Sequence, residues 1–494
     1  MGTTNFYSEN DLNNSSDYES IESIIREAES GNADSMCCIG CCYNSGLMGF
    51  KKDQVEALKW LRKAADAGNT DAMFMVGSYY EKGLGGLKKD EVEALRWVRK
   101  AIDAGNAVAM FMIGNYYEKG KGGLKKDQVE ALKWFRNAID AGDANSIYEV
   151  ARYYDEGLGG LKKDEVEALK WFRKAADAGN TDAMFMIGRY YEKGLGGLKK
   201  DEVEALKWYR KAADAGYVSI MPLIALYYEN GQGGLKKDEV EALRWLRKAI
   251  DAGDATATFM IGNYYEKGKG GLKKDQVEAL KWYKKAADAG YARAMYSIGN
   301  YYENGLGGLR KGEVEALKWY KKAADGGNAR SMFMIGRYYE KGLGGLKKDE
   351  VEALKWYRKA ADCGNARAMN AIGLCYENGQ GGLKKDEVEA LNWYRKSADA
   401  GDARAMYSIA IYYQNGQGGL RKDEAEALKW YRRALVGKID DMKVKAVIMG
   451  MIGCYYEEGK GYLIKDKAEA LKWYRKAADA DADCARLLRE NGKL

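Results

Sequence analysis

The densest cluster of reactive side chains in this sequence is Cys37-Cys38-Ile39-Gly40-Cys41-Cys42. Thiolates are nucleophiles and metal ligands, and on a helix Cys37 and Cys41, like Cys38 and Cys42, would share a face at a spacing of four. Structural zinc, however, usually draws four ligands from loops or from two elements. No second cluster lies nearby, and the chain has no histidine. Substitution at ordinary helix positions explains these cysteines better than metal binding does, and no metal or other cofactor is expected. The remaining cysteines are Cys363, Cys375, Cys454 and Cys484, with none between Asn69 and Asp362. That rules out a repeating disulfide framework and suits a reducing compartment.

Other catalytic patterns fail on the same footing. Without histidine the commonest general acid/base is missing. The recurring GLGGLKKD, as at Gly83 to Asp90, has the glycines and lysines of a phosphate loop. It lacks the G-K-[ST] ending and follows a helix where a P-loop follows a strand, so a turn plus a helix N-cap is expected. No serine is followed three residues later by lysine, as an S-x-x-K nucleophile requires. No catalytic residue is therefore assigned.

The elements that hold these residues emerge from the tryptophans. All twelve form one series from Trp60 to Trp473, spaced by 37 residues except for a last step of 43, where six extra residues lie near 438–443. Such periodicity marks an array. In the copy from Asn69 to Gly105, Ala72, Val76, Tyr79 and Tyr80 fall at helical spacing. Gly83 ends that helix, Gly85 and Gly86 form the loop, and Asp90 with Glu93 predicts a capping box for a second helix. The second helix carries Val92, Ala94, Leu95, Trp97 and Ala101 and stops at Gly105. Asp recurs at this cap in eleven copies, Gly312 being the exception. Each copy is thus helix A, loop, helix B, turn, and helices of about three turns persist only by stacking on neighbours. Glycine at the centre of helix A (Gly77, Gly114, Gly188 and equivalents, alanine at Ala151, Ala225 and Ala410) predicts a close approach, with the tryptophan or a neighbouring ring over the gap. Tyr80 and its equivalents occur in all twelve copies. Pro222, the only proline, falls in helix A of the sixth copy.

Ala72, Val76-Gly77, Tyr80, Gly83, Asp90, Ala94, Trp97, Lys100-Ala101 and Gly105 together resemble the Sel-one-like repeat, a relative of the tetratricopeptide repeat. The resemblance covers residues 32–480 and implies an all-α fold: a right-handed α-solenoid superhelix of about twelve helix-turn-helix units, used as an adaptor or scaffold in protein complexes and signalling. Terminal caps are expected from 16–31, where Ser16 and Glu19 read as a capping box, and from 481–494; residues 1–15, polar and Asn/Ser-rich, read as disordered.

The same resemblance places helix A on an inner wall, where the positions of Asp71, Met75, Ser78 and Lys82 share a face. At the first position early copies carry Asp34, Asp71, Val108, Asn145, Asp182, Ser219 and Thr256, and later ones Arg293, Arg330, Arg367 and Arg404. Arginine opposes the macrodipole there, which suits a ladder that reads an acidic or C-terminal-carboxylate peptide; duplication of one Arg-bearing copy is the plainer account and the favoured one. Arg152, Arg189 and Arg337 at the third position, and Met75, Met112 and Met186 at the second, complete the candidate partner-binding set. Phe74 and its equivalents are expected to pack against the next repeat.

Composition agrees with a binding role. The net charge of +7 comes from 80 basic and 73 acidic residues, interspersed, which disfavours nucleic-acid recognition by one nucleotide per repeat, the main alternative. Hydrolysis of the kind linked to β-lactams in some cysteine-rich relatives lacks its motif. No apolar run approaches the roughly 20 residues of a membrane span, no signal-peptide layout is present, and Phe6 stands where N-myristoylation at Gly2 expects Ser or Thr. A cytoplasmic, non-catalytic protein that binds protein or peptide, and no small-molecule substrate, is the expectation.

Overall fold

A computed structural model describes residues 16–436 and 442–493. The expected disorder of residues 1–15 and most of the insertion at 438–443 lie outside the described residues. Among those described, the chain forms 26 α-helices and one 3-10 turn, with no strand. Tandem helix-turn-helix copies build an α-solenoid. They fall into two compact units, divided between Asp238 and Glu239, in the loop of the sixth copy.

One copy shows why these residues take this form. Helix A, Thr70–Lys82, begins where the Asn69 side chain accepts from the Ala72 N–H at 2.7 Å. Gly83 ends it at φ 67, its N–H donating to the Tyr79 carbonyl. Helix B, Glu91–Asp103, starts at Asp90, whose carboxylate accepts from the Val92 and Glu93 N–H groups at 3.0 and 2.9 Å. The asparagine cap of helix A passes unnoticed in the sequence reading, although Asn32, Asn106, Asn180, Asn328 and Asn365 repeat it. The capping box at Asp90 forms only by half. Its backbone N–H donates to the Tyr80 carbonyl at 2.9 Å, so Glu93 has no cap donor to reach and pairs instead with Arg96.

The loop seats each copy on the one before. A Cβ on Gly85, at φ 62, would lie 2.7 Å from the carbonyl oxygen of Gln54 in the preceding helix B. Only glycine fits both that approach and that dihedral.

The core corrects the sequence reading of the aromatic residues. Eleven of the twelve tryptophans are only partly buried; Trp245 is the exception at 9% exposure. The inner face of Trp97 packs on the core of the preceding copy. Its outer face lies under Lys100, whose Nζ is 4.2 Å from the ring centroid, a cation–π contact. A basic residue three positions on does the same over ten other tryptophans. The third copy, with Asn137, lacks it.

Full burial falls to the residue after each tryptophan (Val98, Phe135, Phe172, Tyr209, Tyr283, Tyr320 and equivalents) and to the tyrosine at the Tyr79 position. The residue after the tryptophan covers the helix A glycine: a Cβ on Gly336 would sit 2.5 Å from Tyr357. The fully recurrent Tyr80 position is half-buried. Phe74-type rings pack on helix B of their own copy, as Phe111 does on Phe135 at 5.8 Å, and Phe135 in turn meets Tyr153 of the next copy edge-on at 5.6 Å.

Pro222 does not interrupt a helix. It stands in the first turn of Met221–Asn230, behind the 3-10 turn Val218–Ile220, where its missing N–H has no partner to lose. Helix A of this copy is shortened to 10 residues instead. At the amino end, Ser16–Glu29 packs on Ala33–Ser45 through the buried Ala28; the side chains of Ser16 and Glu19 lie outside the described set. At the carboxyl end, Ala482–Glu490 lies on Lys467–Ala480 with no buried residue of its own, and Asp481 caps it.

Candidate functional site

Helix A presents the stripe, and its first position does different work along the chain. In the early copies the aspartates serve the next cap: Asn69 donates to Asp34 at 2.7 Å and Asn106 to Asp71 at 2.8 Å. In the later copies Arg293, Arg330, Arg367 and Arg404 are exposed. Met75 and Met186 are half-buried, whereas Met112 is buried at 9% exposure. Packing thus removes Met112 from the candidate contact residues.

The third position brings arginine into three settings. Arg152 is enclosed by carboxylates, bonding to Glu118 of the preceding copy and to Glu149 at 2.8 Å, with Glu156 at 3.6 Å. Burial works against its charge, but Glu149 and Glu118 more than offset this and hold it protonated. Burial raises the Glu149 carboxyl above its usual range, with Arg152 opposing. Arg152 is therefore occupied within the fold and leaves the candidate contact set. Arg189 lies over the Phe185 ring at 5.9 Å, beside the Met186 sulfur at 3.8 Å. Arg337 is half-buried and makes no ion pair among the described residues.

In the second unit one tyrosine lies within the field of several arginines. Burial raises the Tyr296 hydroxyl, and Arg330, Arg367 and Arg337 all act to lower it. One tyrosine therefore feels three cations from the two copies that follow it.

Beneath the stripe runs a row of carboxylates that sequence reading missed. Glu266 accepts from Tyr283 of its own helix B at 3.1 Å and from Tyr301 of the next helix A at 2.9 Å. Glu192 bridges Tyr209 and Tyr227 in the same way, and Gln414 bridges Tyr431 and Tyr455. Glu303, Glu340, Glu377 and Glu457 each hold the tyrosine of their own helix B. The detectable signal was an acidic residue recurring directly after Tyr80, in step with tyrosine directly after tryptophan.

The GLGGLKKD loop behaves as a turn and cap. Lys89 pairs with Glu91 at 3.1 Å, and Lys163, Lys200 and Lys348 repeat the pairing. Where this segment meets the glycines of the next copy it leaves a shallow open groove, lined by Lys52, Asp53, Gln54, Val55, Gly85 and Gly86. All eight cysteines are unpaired thiols. No group of three or more His, Cys, Asp or Glu side chains converges for a metal among the described residues, and none of the described helices is long and apolar enough to cross a membrane.

Comparison with known proteins follows the repeat. The Sel1 repeat family matches residues 33–69, 70–106, 107–143, 144–180, 181–217, 223–254, 255–291, 292–328, 329–365, 366–402, 403–435 and 449–481. Among solved structures, a protective antigen of uropathogenic Escherichia coli displaying an SLR fold is 28% identical, covering 95% of this chain and 97% of its own, with a TM-score of 0.48. A Sel1 repeat protein from Oxalobacter formigenes is 34% identical over 51% of this chain and 99% of its own, with a TM-score of 0.46. An immunity protein from Pseudomonas aeruginosa is 22% identical over 45% of this chain and 82% of its own, with a TM-score of 0.33. No curated protein matches.

Proposed function

The chain belongs to the Sel1 repeat family, and from that premise we propose that it is a non-catalytic scaffold whose later helix A copies bind an acidic peptide or a peptide C-terminus. Repeats of this family generally mediate protein–protein interaction and are typically non-catalytic. The observation that carries the finer reading is the row of exposed arginines, Arg293, Arg330, Arg367 and Arg404, in successive later copies of helix A. Guanidinium groups recognise carboxylates through paired donors, and a tyrosine beside them supplies a rigid contact surface of the kind enriched at binding hot spots. Half-buried methionines such as Met75 and Met186 line the equivalent face in the first unit and offer adaptable apolar contacts.

Fluorescence anisotropy with a library of acidic peptides, each with a free or an amidated C-terminus, tests this. Binding should weaken by at least tenfold in the double variant Arg330→Glu, Arg367→Glu, and fall with ionic strength as screening predicts. Equal affinity in the double variant rejects the arginine face. Indifference to amidation assigns recognition to acidic side chains.

A further inference from the structure

The first copy differs from the others in one concentrated way: it gathers sulfur. Helix Ala33–Ser45 carries all four cysteines of the amino-terminal cluster. Cys37 and Cys41 lie one helical turn apart on the same face, as do Cys38 and Cys42. Cys41 Sγ lies 3.6 Å from Met75 Sδ on the next helix A, and Cys42 Sγ lies 3.4 Å from Met48 Sδ in the loop. The side chains thus form two adjacent sets, each of two thiols and one thioether. Spacing along the sequence suggested only the thiols; the methionines are brought in by the fold.

Met48 supplies an independent observation. It is the only non-glycine residue with positive φ among those described, at 52°, and it stands where the type copy has Gly85. A bulky side chain in that conformation is strained, and strain of this kind persists where something over-determines it. Here its consequence is a thioether held against Cys42.

We propose that Cys37 with Cys41, and Cys38 with Cys42, form two neighbouring two-thiolate sites for a soft monovalent metal ion, Cu(I), with Met75 and Met48 as their thioether neighbours. Thiolate and thioether ligands select Cu(I), whereas structural zinc takes four ligands at one centre, a convergence these two sets do not make. The helix also protects the thiols from pairing with each other. Positions four apart place Cβ atoms roughly 5–6 Å apart, and a disulfide needs about 3.5–4.5 Å. An ion between the sulfurs has no such constraint, since two metal–thiolate bonds of about 2.3 Å let it span them without moving the backbone.

Access and proton balance fit. Cys37 and Cys42 are buried while Cys41 and Cys38 are partly exposed, so each set has one sulfur at the surface and one behind it. Binding Cu(I) forms two S–Cu bonds, breaks the two S–H bonds of the pair, releases both protons to solvent and leaves a bis-thiolate anion. No oxidant or reductant enters.

The test uses the full-length reduced protein under anaerobic conditions, with Cu(I) supplied as its acetonitrile complex against a chromophoric Cu(I) chelator. Two equivalents should resist the chelator. Cys37→Ser with Cys41→Ser should leave one, Cys38→Ser with Cys42→Ser should leave one, and the quadruple variant none. Met48→Leu with Met75→Leu should weaken retention roughly tenfold, the loss typical of a supporting neighbour. Loss of all copper to the chelator by the wild type, or two equivalents retained by a quadruple variant with unchanged circular dichroism, overturns the proposal. Should the quadruple variant unfold, the methionine pair decides: undiminished retention there counts against the site.

Discussion

Arg152 and Arg337 occupy the same position in the fourth and ninth copies, yet their surroundings are opposite. Arg152 is neutralised by Glu118 and Glu149. At Arg337 the counterpart of Glu149 is Met334, and the counterpart of Glu118 is Glu303, which accepts instead from Tyr320 at 2.7 Å. The ring at the Tyr320 position in the third copy is Phe135. Two differences therefore separate the situations: the phenolic oxygen of Tyr320, which engages the Glu303 carboxylate, and Met334 in place of Glu149. Beside the phenyl ring of Phe135, Glu118 bonds to Arg152 of the next copy, whereas beside that of Phe172, Asp155 accepts from Tyr190. The interior of one repeat thus bears on the charge displayed by its neighbour.

Truncation of either ring should be the heaviest blow. Phe135→Ala and Tyr320→Ala each remove a fully buried ring and should cost about 3–5 kcal/mol in chemical denaturation. A cost at one site below half of that at the other would break the equivalence of the two copies.

Arg152→Met comes next, at about 1–3 kcal/mol, because it strands Glu118 and Glu149 beside each other. Glu149 already sits above its usual value of 4.5 through burial. A carboxyl whose folded value lies above its unfolded one costs stability when ionised. That cost is absent below the unfolded value and grows as pH rises toward the folded one. The destabilisation measured at pH 8 should therefore exceed that at pH 5, and a pH-independent loss would contradict the arrangement.

The smallest expected effect is the most direct on the comparison. Tyr320→Phe should cost only about 1 kcal/mol, but it releases Glu303 toward Arg337 and should weaken acidic-peptide binding several-fold. The reverse change, Phe135→Tyr, should leave peptide affinity within twofold, since Arg152 is already neutralised. Equal effects of the two exchanges on affinity would remove the link between ring chemistry and displayed charge.

The period of the tryptophans, the glycine that ends helix A and the aspartate that opens helix B were legible because each follows from backbone geometry at one residue. The burial of individual rings was not. Trp97 and Tyr80 recur without exception, yet both positions lie in a partly buried seam. The deeper position, Val98 and its equivalents, varies among Leu, Val, Phe and Tyr, because any side chain that fills the space over the helix A glycine serves. The arginine stripe was visible as composition. Whether each arginine is satisfied depends on residues about 35 positions away, across a stacking contact that one copy read alone does not contain.

The loop glycine has a consequence for how such a chain changes length. Gly85 rests on the carbonyl of Gln54, and Gly122, Gly159 and Gly196 rest on the same atom of their predecessors. Every copy is keyed to the one made just before it, so the nascent chain meets a finished template as each new unit emerges. Gain or loss of a whole unit restores the same seam. The six extra residues near 438–443 also leave the key in its seat, with Gly461 resting on the Glu424 carbonyl, so the array can take in residues at the turn between copies as well as whole units.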